Sequence, residues 1–238
     1  MLLIVSSEIK LQGVVLHSVP RKLESSRLFY EALLGAKFER EQHGKGPQHY
    51  SHQQGAMLIE LYPNPGDAPS DLFSFALSFY TADMAGLLQR MHNHSIEPEK
   101  RKTDDSSATF HDPQDRNIRV HQQLGGQDRN LYLDEIILHS TKIEESCSFY
   151  QLLLGVPFLE QPENKNHSQY YWENNNDIAL KLYPDDRPDL APSPSLRFSY
   201  PDLDEVKLRM KGYAIKDLKD SEEILVLAPD NRKIFIYS

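Results

Sequence analysis

Residues 16–35 read LHSVPRKLESSRLFYEALLG, and residues 138–155 read LHSTKIEESCSFYQLLLG. Both stretches carry LHS, a Lys-aliphatic-Glu step, a serine, an aromatic pair and a closing LLG. The likeness continues along the chain. AMLIELYPNPGDAPSDLFSFALSFY (56–80) faces IALKLYPDDRPDLAPSPSLRFSY (178–200), LLQRM (87–91) faces VKLRM (206–210), and HDPQDRNIRV (111–120) faces APDNRKIFI (228–236). The offset is 120 from Phe29 to Phe149, 121 from Glu60 to Lys181, 119 from Arg90 to Arg209 and 116 from Pro113 to Pro229. A nearly constant offset across four blocks marks a duplicated unit of about 120 residues. The seam falls at LGGQDRN (124–130), where Gly125 and Gly126 signal a turn or linker. Two domains are therefore expected, 1–126 and 127–238.

Within each half the local pattern also repeats. GVVLHSV and EIILHS read as short β-rich runs. LESSRLFYEALLG and IEESCSFYQLLLG read as helices. In the second, Ile143, Cys147, Tyr150, Leu153 and Leu154 recur at three- and four-residue steps and form one apolar stripe. Gly35 and Gly155 stand where these helices stop, because a residue just past a helix needs positive φ and glycine adopts it without a Cβ clash. Further strands, a second helix and closing strands follow in each half. The expected class is α+β, with four βαβββ modules in the chain.

These residues resemble a known family. An opening strand, then E-x-S-x-x-F-Y-x-x-L-L-G, then E-L-Y-P and a closing D-P-x-x-N-x-I strand look like the vicinal oxygen chelate superfamily. That group includes glyoxalase I, bleomycin resistance proteins and extradiol dioxygenases. The resemblance covers essentially the whole chain, twice over. It implies two tandem glyoxalase-like domains in which paired modules curl a mixed sheet into a cup. It also implies a divalent metal in the cup, held from the first and last strands of each module.

The implied ligand positions fall on Gly13, Glu60, Ser74 and Arg119 in the first half. In the second half they fall on Glu135, Lys181, Ser195 and Phe235. A transition-metal site needs three or more converging oxygen or nitrogen donors, and each half offers one carboxylate there. Lysine and arginine at such positions repel a cation. No cofactor is therefore expected. A divalent metal is the alternative, with Glu60, His17 and His49 as its candidate ligands.

Strand alternation indicates what faces each cup, since residues two apart share a side. Gly13, Val15 and His17 share one face, as do Glu135, Ile137 and His139, and as do Ser195, Arg197 and Ser199. In glyoxalase-like members the position of His17 and His139 contacts substrate. Glu60 is expected to pair with Arg119, which would neutralise a partly buried carboxylate. Lys181 and Arg197 are expected to flank Glu135 and give the second cup a positive lining, with His139 beside them. The expected ligand-binding residues are thus His17, Glu60, Arg119, Glu135, His139, Lys181 and Arg197. Cys147, inside a helix on its apolar stripe, reads as a packing residue.

The totals narrow the function further. The 238 residues carry a formal net charge of −9, which argues against nucleic acid or an anionic membrane as partner. One cysteine excludes an internal disulfide framework and fits a cytoplasmic protein. The apolar start MLLIV is too short for a signal peptide or a membrane span. The leading expectation is a cytoplasmic protein that binds a small polar or anionic organic molecule with a degenerate metal site. The bleomycin-resistance branch offers a precedent for binding without catalysis, and a homodimer is compatible with it. The alternatives are a metal-dependent glyoxalase-like lyase or extradiol-type dioxygenase with a non-standard ligand set, and a structural or regulatory partner with vestigial cups.

Overall fold

The computed structural model describes residues 9–55, 57–64, 75–101, 106–123, 131–164, 167–173, 178–186, 194–218 and 222–238. The first module comprises β1 (Lys10–Ser18), α1 (Leu23–Leu34), β2 (Glu39–Glu41), β3 (His49–Gln54) and β4 (Met57–Pro63). The second comprises β5 (Phe75–Thr81), α2 (Met84–Asn93), β6 (Lys100–Arg101), β7 (Ser107–His111) and β8 (Asn117–Gln122). The third comprises β9 (Tyr132–Ser140), α3 (Ile143–Leu154), β10 (Leu159–Asn164), β11 (His167–Glu173) and β12 (Ala179–Pro184). The fourth comprises β13 (Ser195–Ser199), α4 (Leu203–Arg209), β14 (Ile215–Asp217), β15 (Glu223–Leu227) and β16 (Lys233–Tyr237). The fold is α+β, and all four modules have the βαβββ order read from the repeat.

The pairing of modules differs from the expectation that each half closes its own cup. One eight-stranded sheet runs β14-β15-β16-β13-β1-β4-β3-β2, and the other runs β10-β11-β12-β9-β5-β8-β7-β6. The first module is thus joined to the fourth, through antiparallel β1 and β13. The second is joined to the third, through antiparallel β5 and β9. We call these the outer-module and inner-module sheets. The physical reason is that alternation decides which face a strand buries, not which strand lies beside it. The leading strands of the modules share one pattern, so local sequence is indifferent between the pairings.

The halves nevertheless keep contacts of their own on the helical side. Arg90 of α2 donates to the carbonyl oxygens of Ala32 and Leu33, both at 3.3 Å, and so satisfies the end of α1. Arg209 of α4 does the same for α3 at Leu153, at 3.1 Å. Gly35 and Gly155 end these helices with φ of 68° and 71°, as the sequence indicated. Two buried arginines at matching places in the repeat tie the sheets together. Arg116, paired with Asp112, donates to the carbonyl oxygen of His17 at 3.1 Å, and Arg232 donates to that of His139 at 3.4 Å.

The apolar faces are those that alternation assigned. Val14 and Leu16, Ile136 and Leu138, Phe75, Leu77 and Phe79, and Leu196, Phe198 and Tyr200 all belong to the buried core. Each of these side chains contributes roughly 1.5–3 kcal/mol on burial. The other faces of β1 and β13 remain to line a cavity.

Candidate functional site

A cavity of about 450 Å³ opens in the outer-module sheet, lined by Val15, His17, His43, Glu60, Tyr62, Arg197, Glu223 and Phe235. Val15 and His17 come from β1, Glu60 and Tyr62 from β4, Arg197 from β13, Glu223 from β15 and Phe235 from β16. The sheet exchange therefore builds one site from the first and last modules. The parallel register of β1 and β4 sets Val15 beside Glu60 and His17 beside Tyr62.

A charge network crosses this cavity. Arg197 Nη1 lies 2.7 Å from Glu60 Oε2, and its Nη2 lies 3.2 Å from Glu223 Oε1. The guanidinium also sits over the Tyr237 ring, 5.9 Å from its centroid. Glu60 is 1% exposed, so its charge needs this partner. The expected pairing of Glu60 with Arg119 does not form. Arg119 lies exposed on β8 of the inner-module sheet, because the second module left the first for the third.

His17 Nε2 and Ser195 Oγ are 3.1 Å apart, across the junction of first and fourth modules. Burial, with lesser help from the charges of Lys233 and Arg116, lowers the His17 pKa to about 4. The ring is neutral at pH 7. Tyr62 shifts the other way, to about 12, through burial and then the Glu60 charge.

The remaining expected site residues lie in the inner-module sheet. Lys181 of β12 pairs with Glu135 of β9, and His139 Nδ1 is 3.5 Å from Asp185 Oδ2. The expectation that His139, Lys181 and Arg197 share one concave surface is corrected. Arg197 belongs to the other sheet and is committed to two carboxylates there.

The ligand positions implied by the resemblance regroup accordingly. In the outer-module sheet they are Gly13, Glu60, Ser195 and Phe235, which supply a single carboxylate. At Gly13 a Cβ would lie 3.0 Å from the Leu58 carbonyl oxygen, so a side chain there would require the neighbouring strand to give by a few tenths of an ångström. Gly13 instead stands directly opposite Arg197, whose guanidinium neutralises Glu60. In the inner-module sheet the positions hold Arg119, Glu135 and Lys181, while Ser74 lies outside the described residues. A carboxylate with two cationic side chains does not fit a metal. Among the described residues, neither sheet gathers three metal donors at these positions.

His49 is 1% exposed on β3, its ring stacked on Tyr62 with centroids 4.0 Å apart. Its Nε2 is 3.7 Å from Glu60 Oε1 and 3.6 Å from Glu41 Oε2. The residues that sequence reading missed here are Glu41, His43, Tyr62 and Glu223. The first two had a faint signal in EREQHGKGPQHY (39–50), where Glu41 and His49 turn out to be directly opposed across a hairpin. Cys147 is buried, and burial, then Glu144 and Glu160, push its thiol pKa up to about 11.

No family model and no curated protein matches the chain. Solved structures do. A glyoxalase I mutant from Zea mays is 14% identical, with 96% of this chain and 92% of that chain covered at a TM-score of 0.70. A dioxygenase candidate from Bacillus subtilis is 12% identical, with 98% and 86% covered at 0.66. The cppA protein from Streptococcus pneumoniae is 13% identical, with 97% and 98% covered at 0.55. At such identities the likeness is one of fold, along nearly the whole of each chain. This chain has the tandem-module fold of glyoxalase I.

Proposed function

We propose that this chain is a vicinal oxygen chelate superfamily protein that binds a small polar organic molecule in the outer-module cup. The observation that carries the reading is the cavity of about 450 Å³, into which Glu60, Arg197 and Glu223 converge from three strands. That volume falls in the range of small-molecule sites, roughly 300–1,000 Å³. Tyr62 and Phe235 supply apolar surface, and His17 supplies a neutral ring for hydrogen bonding. The expected anionic character of the ligand gives way to a neutral or cationic one. Arg197 faces two carboxylates, so the lining carries no spare positive charge. Glu60 and Phe235 stand at ligand positions that the resemblance implies, and in this reading they serve as lining rather than as metal ligands. Its single, buried cysteine fits a cytoplasmic setting.

The test is ligand-observed NMR with a library of neutral, cationic and anionic metabolites, repeated on Phe235→Ala and His17→Ala. Neutral or cationic hits that both substitutions weaken by about tenfold or more support the reading. Hits untouched by either substitution, or hits confined to anions, overturn it.

A further inference from the structure

The hairpin of the first module places three potential metal ligands at the rim of this cavity. Glu41 ends β2, His49 begins β3, and the two are paired directly across the strands. His43 lies in the connecting loop, folded back by a turn in which Gly46 N–H donates to the His43 carbonyl oxygen at 2.9 Å. One ligand atom from each of the three residues can be chosen so that all lie within 4.8 Å of one another. Glu41 Oε2 is 3.6 Å from both His43 Nε2 and His49 Nε2.

These separations are too long for hydrogen bonds. They suit atoms that share one ion. Bonds of about 2.0–2.2 Å to a tetrahedral ion set its ligand atoms roughly 3.3–3.6 Å apart. The state of His49 is an independent observation. Its Nδ1 faces the carbonyl oxygen of Pro47 at 3.3 Å. A carbonyl only accepts, so Nδ1 donates to it, and Nε2 is the ring nitrogen left for another partner. That Nε2 is buried and has no hydrogen-bond partner. It lies 3.6 Å from Glu41 Oε2 and 3.7 Å from Glu60 Oε1. A backbone carbonyl on the far ring nitrogen is also how metal-binding histidines are usually oriented.

The geometry points to a divalent transition-metal site formed by Glu41, His43 and His49. Two imidazoles and one carboxylate favour Zn²⁺, Fe²⁺, Co²⁺ or Ni²⁺ over Mg²⁺ or Ca²⁺. Of the three, only His49 entered the sequence expectation as a candidate ligand, and there with Glu60 and His17. Because His43 also lines the cavity, an ion held here stands at its edge, within reach of a bound molecule. The site does not depend on the organic ligand and can be tested without one.

The experiment is calorimetric titration of the chelator-stripped chain with Zn²⁺ alone, with Co²⁺ as a visible-absorption probe of the donor set. Glu41 and His43 are accessible, with side chains 36% and 67% exposed, so Glu41→Gln and His43→Ala should leave the fold intact, as circular dichroism would verify. We expect one Zn²⁺ per chain, weakened at least tenfold by each substitution. His92→Ala, which removes an exposed histidine on α2 paired with Glu97, should change nothing. Absence of saturable binding overturns the proposal. So does binding that survives either hairpin substitution, or binding that His92→Ala abolishes.

Discussion

Arg197 Nη1 lies 2.7 Å from Glu60 Oε2, and the two residues are 137 positions apart in the chain. The bond joins the first module to the fourth. Glu60 is nearly inaccessible, so removing its partner leaves a buried carboxylate uncompensated. Arg197→Ala is expected to lower stability by about 2–3 kcal/mol, measured by urea unfolding. The combination of Glu60→Gln with Arg197→Ala should recover part of that loss. Strictly additive losses would show that the pair is not coupled.

The exchange of modules sets the behaviour of the isolated halves. A fragment of residues 1–126 lacks the β13 and β9 neighbours of its β1 and β5. Neither 1–126 nor 127–238 is expected to give a stable monomer, because each exposes two long strand edges and their apolar faces. Mixed together, the fragments should reassemble. Size-exclusion chromatography and the dispersion of amide resonances distinguish the cases. Two independently folded monomers would contradict the pairing.

His17 provides a pH signature. Its pKa in the folded chain is about 4, below the ordinary histidine value of 6.5. Between these values the unfolded chain binds a proton that the folded chain refuses. Stability should therefore be fully retained above pH 6.5, decline as pH falls towards 4, and level off below that. Proton NMR of the imidazole would give the folded pKa directly. In His17→Gln this part of the pH dependence should vanish. A ring that titrates near 6.5 would remove the argument.

Cys147 should be inert in the folded chain. Its thiol is buried, and a pKa near 11 leaves almost no thiolate at pH 7. Alkylation by iodoacetamide is expected to be at least a hundredfold slower than in urea. Comparable rates under the two conditions would indicate an exposed, reactive thiol.

What the sequence determined by itself follows from short-range rules. The duplication, the βαβββ order, the helix-ending glycines and the split of strand residues into core and cavity faces are all written in local periodicity. The i, i+2 and i, i+4 relations hold wherever a segment ends up. By the same rule Val15, His17 and Arg197 were placed off the core. The partners of those residues depended on tertiary structure. Glu60 meets Arg197 rather than Arg119, and His139 and Lys181 lie in a different sheet from Arg197, because β1 pairs with β13 and not with β5. Four modules whose leading strands share one alternating pattern can join in more than one way, and alternation alone does not separate the alternatives. The hairpin cluster belongs to the same class. Glu41 and His49 are eight positions apart in a polar stretch with little periodicity, and only the register of β2 against β3 makes them face each other.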